Sequence, residues 1–318
     1  MTAPDWLTRR RLGARGPAVT RLGLGGAPLG NMFAPVSDDD ARATIDAAWS
    51  AGIRYFDTAP LYGHGLSERR FGQALAAHPR ADYVLSTKVG RVLHPPEGEP
   101  PPTIFTGVND LVPHFDFTRD GVLRSIDDSL LRLDTDRLDI VLVHDPDDHE
   151  DVAQREAFPA LLRLRDDGVI GAVGCGMNQV PMLERFVADI DLDCVLLAGR
   201  YSLLDRSGAP LLATCAERGV GVILGGVFNS GVLADPDAHA SYDYAPAEPA
   251  VVERARDLRK RGAAHGVTLP EAALQFALRH PAVTTVIVGA RSAAEVMLDA
   301  GFAAAVIPDA LWADLERA

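Results

Sequence analysis

The chain has 318 residues, 47% hydrophobic and 24% charged, enough to bury a full core and unlike disordered or collagen-like sequences. At ~150 residues per domain, that length fits two domains or one large α/β barrel. Thirty-one Lys and Arg against 44 Asp and Glu leave a formal charge of −13, the wrong sign for neutralising phosphates along a duplex, so an extended nucleic-acid partner is excluded while a small anionic cofactor is not.

In chain order, the first signal is a hairpin turn at Gly13-Ala14-Arg15-Gly16-Pro17. The preceding Arg9, Arg10 and Arg11 do not open an export signal, because residues 12–20 are broken by Gly and Pro and hold no apolar core. Short apolar runs then recur at 21–25, 55–58, 83–88, 140–144, 172–176, 194–198, 221–224 and 285–288, each bounded as buried parallel strands are. Helical patterns fall between them at 38–50, 67–77, 118–133, 155–166, 181–188, 209–218 and 250–265, with further ones at 270–279, 293–300 and 309–317. Acidic or Ser/Thr starts, and stops at Gly52, Gly168, Gly219 and Gly266, supply the caps.

Strand-then-helix units repeated eight times with no composition break predict an α/β fold: a (β/α)8 TIM barrel forming one domain over residues 1–318, with an N-terminal β-hairpin. One long irregular segment, 89–117, follows the third strand, on the face where barrel active sites lie, and a loop of that length is usually functional. The longest apolar runs are far too short to span a bilayer, so no membrane partner is expected. Cys175, Cys194 and Cys215 are scattered and odd in number, which fits a reducing cytoplasm.

Chemistry in a barrel belongs at the C-terminal strand ends, and four polar groups stand there. Asp57 ends the second strand, with Tyr62 just beyond it, Lys88 ends the third and His144 the fourth. Charged groups closing apolar strands are costly to desolvate unless paired. Lys88 supplies an ammonium that lowers the pKa of Tyr62, Asp57 pairs with Lys88, and His144 is placed to hydrogen-bond a substrate oxygen or Tyr62. Such a group suits proton transfer during alcohol oxidation or carbonyl reduction. His78, His239 and His280 have no neighbours that make a site.

The chain resembles the aldo-keto reductases through Arg21-Leu22-Gly23-Leu24-Gly25, Gly52-Ile53-Arg54-Tyr55-Phe56-Asp57-Thr58-Ala59, Tyr62-Gly63, Ser67-Glu68, Thr87-Lys88 and His144. The resemblance implies a barrel whose hairpin closes the bottom, and a catalytic tetrad of Asp57, Tyr62, Lys88 and His144. It also implies hydride transfer to or from a nicotinamide, NAD or NADP.

Gly23-Leu24-Gly25-Gly26-Ala27-Pro28 has Pro where a Rossmann turn needs its third Gly, so the dinucleotide is expected to lie across the strand ends instead. By resemblance, its site draws on Gly26, Asp57 and, for the carboxamide, Asn178. The backbone of Gly226, Val227, Phe228, Asn229 and Ser230 would cradle the pyrophosphate. Two family contacts are missing: Ala198 replaces a Gln, and Gly225 replaces the Tyr that stacks on the nicotinamide, with Phe228 as a substitute surface. At the adenosine end, Gly289 stands for a Lys and Glu295 for an Arg, which predicts NAD over NADP, against which stands Arg291, a cation within reach of a phosphate.

Residues 196–204 and 225–231 resemble the sugar 1-dehydrogenase group, which also holds pyridoxal dehydrogenases. A small-molecule sugar or aldehyde partner is therefore expected: oxidation of an aldose of the L-fucose, D-threo-aldose or L-galactose type at its anomeric hydroxyl, or else pyridoxal oxidation or general aldehyde and ketone reduction. Met32, Phe33 and the 89–117 segment are expected to set the choice. A rival reading takes His144, Asp147, Asp148, His149 and Glu150 as ligands of a metal-dependent hydrolase; no metal is expected, because only His144 ends a strand. A non-catalytic cofactor-binding protein is a further alternative, opposed by the intact tetrad.

Overall fold

The computed structural model describes residues 4–108, 110–238 and 241–316. The hairpin β1 (Arg9–Arg11) and β2 (Ala18–Thr20) comes first, followed by β3 (Leu22–Gly25), α1 (Asp38–Ser50), β4 (Tyr55–Asp57) and α2 (Leu66–Leu75). Next are β5 (Val84–Val89), the strands β6 (Arg91–His94) and β7 (Val112–Phe115), α3 (Arg119–Leu133) and β8 (Leu138–His144). The second half holds α4 (Glu150–Val152), α5 (Phe158–Asp166), β9 (Ile170–Met177), α6 (Val180–Asp189), β10 (Cys194–Ala198), α7 (Ala209–Arg218) and β11 (Gly221–Gly225). It closes with the short pair β12 (Ser241–Tyr242) and β13 (Ala245–Pro246), then α8 (Pro249–Ala264), α9 (Leu269–Leu278), β14 (Val283–Gly289), α10 (Ala293–Ala304) and α11 (Asp309–Leu315).

Parallel strands β3, β4, β5, β8, β9, β10, β11 and β14 close into a barrel in that order, β14 pairing back onto β3. All eight strands predicted from apolar runs are present, with no end shifted by more than two residues. Helices begin where the sequence offers caps: the Ser37 and Thr118 side chains accept from the backbone N–H of Asp40 and Gly121, and Thr268 and Glu271 form a capping box on α9.

Two departures are local. The segment 89–117 is not wholly irregular: β6 and β7 pair antiparallel, Arg91 opposite Phe115, and make a hairpin beside the mouth. The helix predicted at 155–166 starts earlier and carries a π turn at Ala153–Ala157 between α4 and α5. Of the other sequence features, His239 and Arg317 lie outside the described residues.

Inside the barrel, Tyr55, Val84, Ile140, Leu142, Ala172, Cys194, Leu196, Ile223 and Ile287 pack with Leu12 and Val19 of the N-terminal hairpin. The hairpin therefore plugs the bottom, and chemistry is left to the other end. Outside, helices and strands share a larger apolar layer that includes Phe56, Phe71, Phe158 and Phe186. Among the described residues no single helix is long and apolar enough to cross a membrane.

Candidate active site

Strand alternation builds the site. Residues two apart on a strand share a face, so Tyr55 and Asp57 of β4 look into the barrel with Ser86 and Lys88 of β5. Register sets Asp57 opposite Ser86 and His144 opposite Gly176. At Gly176 a Cβ would lie 3.7 Å from the Lys88 Cε, so the glycine keeps that side of the ammonium stem open.

Lys88 is the hub. Its Nζ donates to Asp57 Oδ2 at 2.7 Å, to the Thr58 carbonyl at 2.9 Å and to Tyr62 Oη at 3.1 Å. Asp57 is held from its other oxygen by Ser86 Oγ at 2.7 Å, and Ser86 meets Tyr55 Oη at 3.0 Å. Both charges of the Lys88–Asp57 pair are 1% exposed, a burial that is tolerable only with every remaining donor satisfied, as here. Tyr62 stands on the turn after β4, its ring edge-on to His144 at 5.8 Å and tilted over Phe105 at 6.3 Å. His144 does not hydrogen-bond Tyr62, so that alternative is not realised. Its Nδ1 is buried without a hydrogen-bond partner.

Electrostatics refine the expectation for Tyr62. Burial pushes its pKa up to about 12, and Lys88 opposes that rise without cancelling it, so the net shift is upward rather than downward. Burial also works to lower the pKa of Lys88, but Asp57 and Tyr62 outweigh it and hold the ammonium charged. His144 is pushed well below the ordinary imidazole value by burial, with Arg91 and Lys88 reinforcing it, and is neutral at pH 7.

The residues expected to hold a dinucleotide ring the same mouth. Asn178 follows β9, exposed and without a hydrogen bond to any described residue. In the turn after β11, Gly226 has φ +63, and the N–H groups of Val227, Phe228 and Ser230 donate to no described group, an open set of donors suited to an anion. Asn229 contributes less: its N–H goes to the Gly226 carbonyl and its Nδ2 to the Gly199 carbonyl. Phe228 is half-buried against the packed apolar layers, so it is no free stacking face. At Gly225 a side chain would meet only ordinary contacts with Leu196 and Ile287, leaving an open floor where the aromatic is missing. Gly26 is pressed between the Phe71 ring and Ser67, where a Cβ would come within 2.5 Å of both, so the position is closed to any side chain. These free donors and open surfaces fit an extended dinucleotide.

At the adenosine end, Gly289 abuts Pro28, which a Cβ would approach to 2.7 Å. Glu295 accepts from the Arg291 N–H at 2.8 Å, capping α10, so its carboxylate is already engaged. The Arg291 guanidinium reaches the Met32 carbonyl at 3.3 Å. Met32 in turn bridges Phe105, and the Phe33 N–H donates to the Ile104 carbonyl, so these residues and the 89–117 segment form one wall.

The residues of the rival metal reading do not converge. Asp147 accepts from Gln179, Glu150 pairs with Arg185, and His149 stacks near Phe115 and Phe117. Of the histidines without site neighbours in sequence, His78 stacks on Trp49 and His280 stands edge-on to Tyr201. Sequence reasoning missed Ser86, although its spacing two residues before Lys88 was a usable signal. It also missed Arg91 at the start of β6, Asp145 directly after β8 and Tyr244 in the turn between β12 and β13.

A sequence model of the Aldo/keto reductase family matches residues 21–318. The chain is 42% identical over 314 residues to D-threo-aldose 1-dehydrogenase of a Pseudomonas species, covering 96% of this chain and 95% of the relative. It is 39% identical over 330 residues to pyridoxal 4-dehydrogenase of Microbacterium luteolum, covering 96% of each. Among solved structures, the holo form of an aldo-keto reductase from Bacillus halodurans aligns with a TM-score of 0.78 at 25% identity, over 98% of this chain and 95% of that one.

Proposed function

The chain belongs to the aldo/keto reductase family and is an NAD(P)-dependent oxidoreductase acting on CH–OH groups; from that premise we propose that it oxidises the anomeric hydroxyl of a cyclic aldose to the lactone, with NAD preferred. The observation that carries this reading is the Lys88 ammonium at 2.7 Å from Asp57 and 3.1 Å from Tyr62, at the open end of the barrel. Residues 1–318 are read as one domain around that site.

In this reading Tyr62 Oη takes the hydroxyl proton, and Lys88 stabilises the phenolate that must form first. Asp57 fixes Lys88 and keeps it charged. Neutral His144 orients the substrate oxygen. The bound nicotinamide supplies the acceptor for the hydride, so that aldose and NAD+ become lactone, NADH and a proton. Asn178 and the N–H groups of Val227, Phe228 and Ser230 are the chain's donors toward the dinucleotide. NAD preference is supported by Gly289 where a phosphate-binding cation would stand and by Arg291 being tied to Met32.

The test is NADH formation from L-fucose, L-galactose, D-arabinose and pyridoxal. Turnover of at least one aldose with a higher kcat/KM for NAD than NADP supports the proposal. Turnover of pyridoxal alone favours the second reading, which rests on the 39% identity to pyridoxal 4-dehydrogenase. No turnover with any of the four sinks both.

A further inference from the structure

Directly after His144 the chain makes an unusual move. Asp145 has φ +42, a left-handed conformation that non-glycine residues rarely adopt, and its N–H donates to the Gly176 carbonyl at 3.0 Å. The turn keeps the carboxylate at the mouth, where Oδ2 lies 3.5 Å from His144 Nε2 and 3.1 Å from Arg91 Nη2. Its Oδ1 accepts from no described residue.

Arg91 opens β6, and its guanidinium lies over the Phe115 ring, 4.7 Å from the centroid. Its Nε is buried without a partner. The pair is thus neither a sealed core ion pair nor a loose surface one: the side chains are 17% and 28% exposed, and each has capacity to spare.

A third group comes from the opposite rim. Between β12 and β13 the turn residues Asp243 and Tyr244 have φ +48 and +64, a two-residue geometry that favours Gly or Asn. Side-chain and backbone ties hold it: Asp243 pairs with Arg200 at 2.9 Å, and the Tyr244 N–H donates to Ser230 Oγ at 3.0 Å. The Tyr244 ring is 45% exposed, and desolvation of its hydroxyl raises its pKa, with the Asp145 carboxylate adding to the shift and Lys88 opposing it. Its tie to Ser230, in the turn after β11, sets Tyr244 at the same mouth.

We propose that Asp145 and Arg91, facing Tyr244, form a subsite that reads the ring hydroxyls of the substrate, making this centre selective for a polyhydroxylated ring. The inference rests on the aldose dehydrogenase reading above. A carboxylate oxygen accepts from one ring hydroxyl, the spare guanidinium donors meet another, and the tyrosine face covers the C–H side of the sugar. Pyridoxal has a flat aromatic ring and lacks the adjacent saturated ring hydroxyls that this subsite reads.

The experiment compares the wild type with Asp145→Asn and Arg91→Met on an accepted aldose and on its 2-deoxy and 3-deoxy analogues. Asn tolerates the left-handed turn, and Met retains the contact with Phe115. A charged hydrogen bond is worth a factor of about 10–100 in binding. The wild type is expected to lose that factor in KM on at least one deoxy analogue, and at least one variant to lose it on the parent aldose while discriminating against that analogue no further. The KM for NAD stays within about threefold. Unaltered discrimination in both variants, or equal loss on aldose and deoxy sugar, overturns the inference alone. Absence of aldose turnover in the wild type overturns the dehydrogenase reading and this inference with it.

Discussion

Tyr62 poses a problem of proton supply. Burial raises its pKa to about 12 against the pull of Lys88, so in the free enzyme at neutral pH the phenol is protonated and only a small fraction is phenolate. Oxidation needs the phenolate, whose population rises tenfold per pH unit below the pKa. We therefore expect kcat/KM for oxidation to climb by up to about tenfold per unit from pH 7 upward, while the reductive direction stays flat over that range. A pH profile that is level for oxidation between pH 7 and 9 contradicts this. His144 is already neutral and adds no inflection near the ordinary imidazole value. Tyr62→Phe should lower kcat by about 10²–10⁴-fold with NAD binding retained, measured by steady-state rates and cofactor titration. An unchanged kcat removes Tyr62 from the proton transfer. Asp57, Tyr62, Lys88 and His144 were legible because each stands at or shortly beyond the end of a strand. Asp145 and Tyr244 were not: their importance comes from positive φ values and from loops meeting across the mouth, neither of which leaves a periodic signal.

Elements follow the same logic. Helices with Ser/Thr starts were readable, whereas the β6–β7 pair was hidden because Pro113 breaks the strand pattern; it is tolerated in a two-stranded ribbon, where one side of each strand is unpaired. On α10, Asp299 is 6% exposed, and burial together with Glu295 one turn earlier raises its pKa to about 7. Because the folded value lies above the ordinary 3.8, the fold favours the protonated form. Its contribution is fully present at pH 4 and below and is lost as pH rises through 7. Asp299→Asn, neutral at every pH, should come nearest to the wild type at about pH 4 and gain on it as the pH rises to 8. The gain is of order 1–3 kcal/mol, read as the difference between thermal melts across that range. A constant difference with pH rules out the buried carboxylate as its cause.

For the whole molecule, the barrel separates stability from chemistry. The mouth holds Lys88, Tyr62 and His144, while the opposite end is closed by the N-terminal hairpin and fastened by ions. Asp193, on the turn before β10 and 2% exposed, accepts from Arg15 Nε at 2.9 Å, from Arg165 Nη1 at 3.1 Å and from the Val173 N–H at 2.9 Å. That one carboxylate joins the hairpin turn, α5 and β9. The hairpin and its turn were legible from Gly and Pro; the clasp was not, because its members lie up to 178 residues apart in sequence. Asp193→Ala leaves a buried N–H without its acceptor and takes the buried carboxylate from Arg15 and Arg165, which keep the exposed Asp191, a cost of about 2–4 kcal/mol. At roughly 2–3 °C per kcal/mol for a chain of this size, Tm should fall by about 4–12 °C. Because nothing in the clasp touches the mouth, kcat and KM per folded molecule at 25 °C should remain within twofold. Loss of activity in parallel with an unchanged Tm would mean that the bottom of the barrel is coupled to the reacting centre, contrary to the division of labour that the strand directions impose.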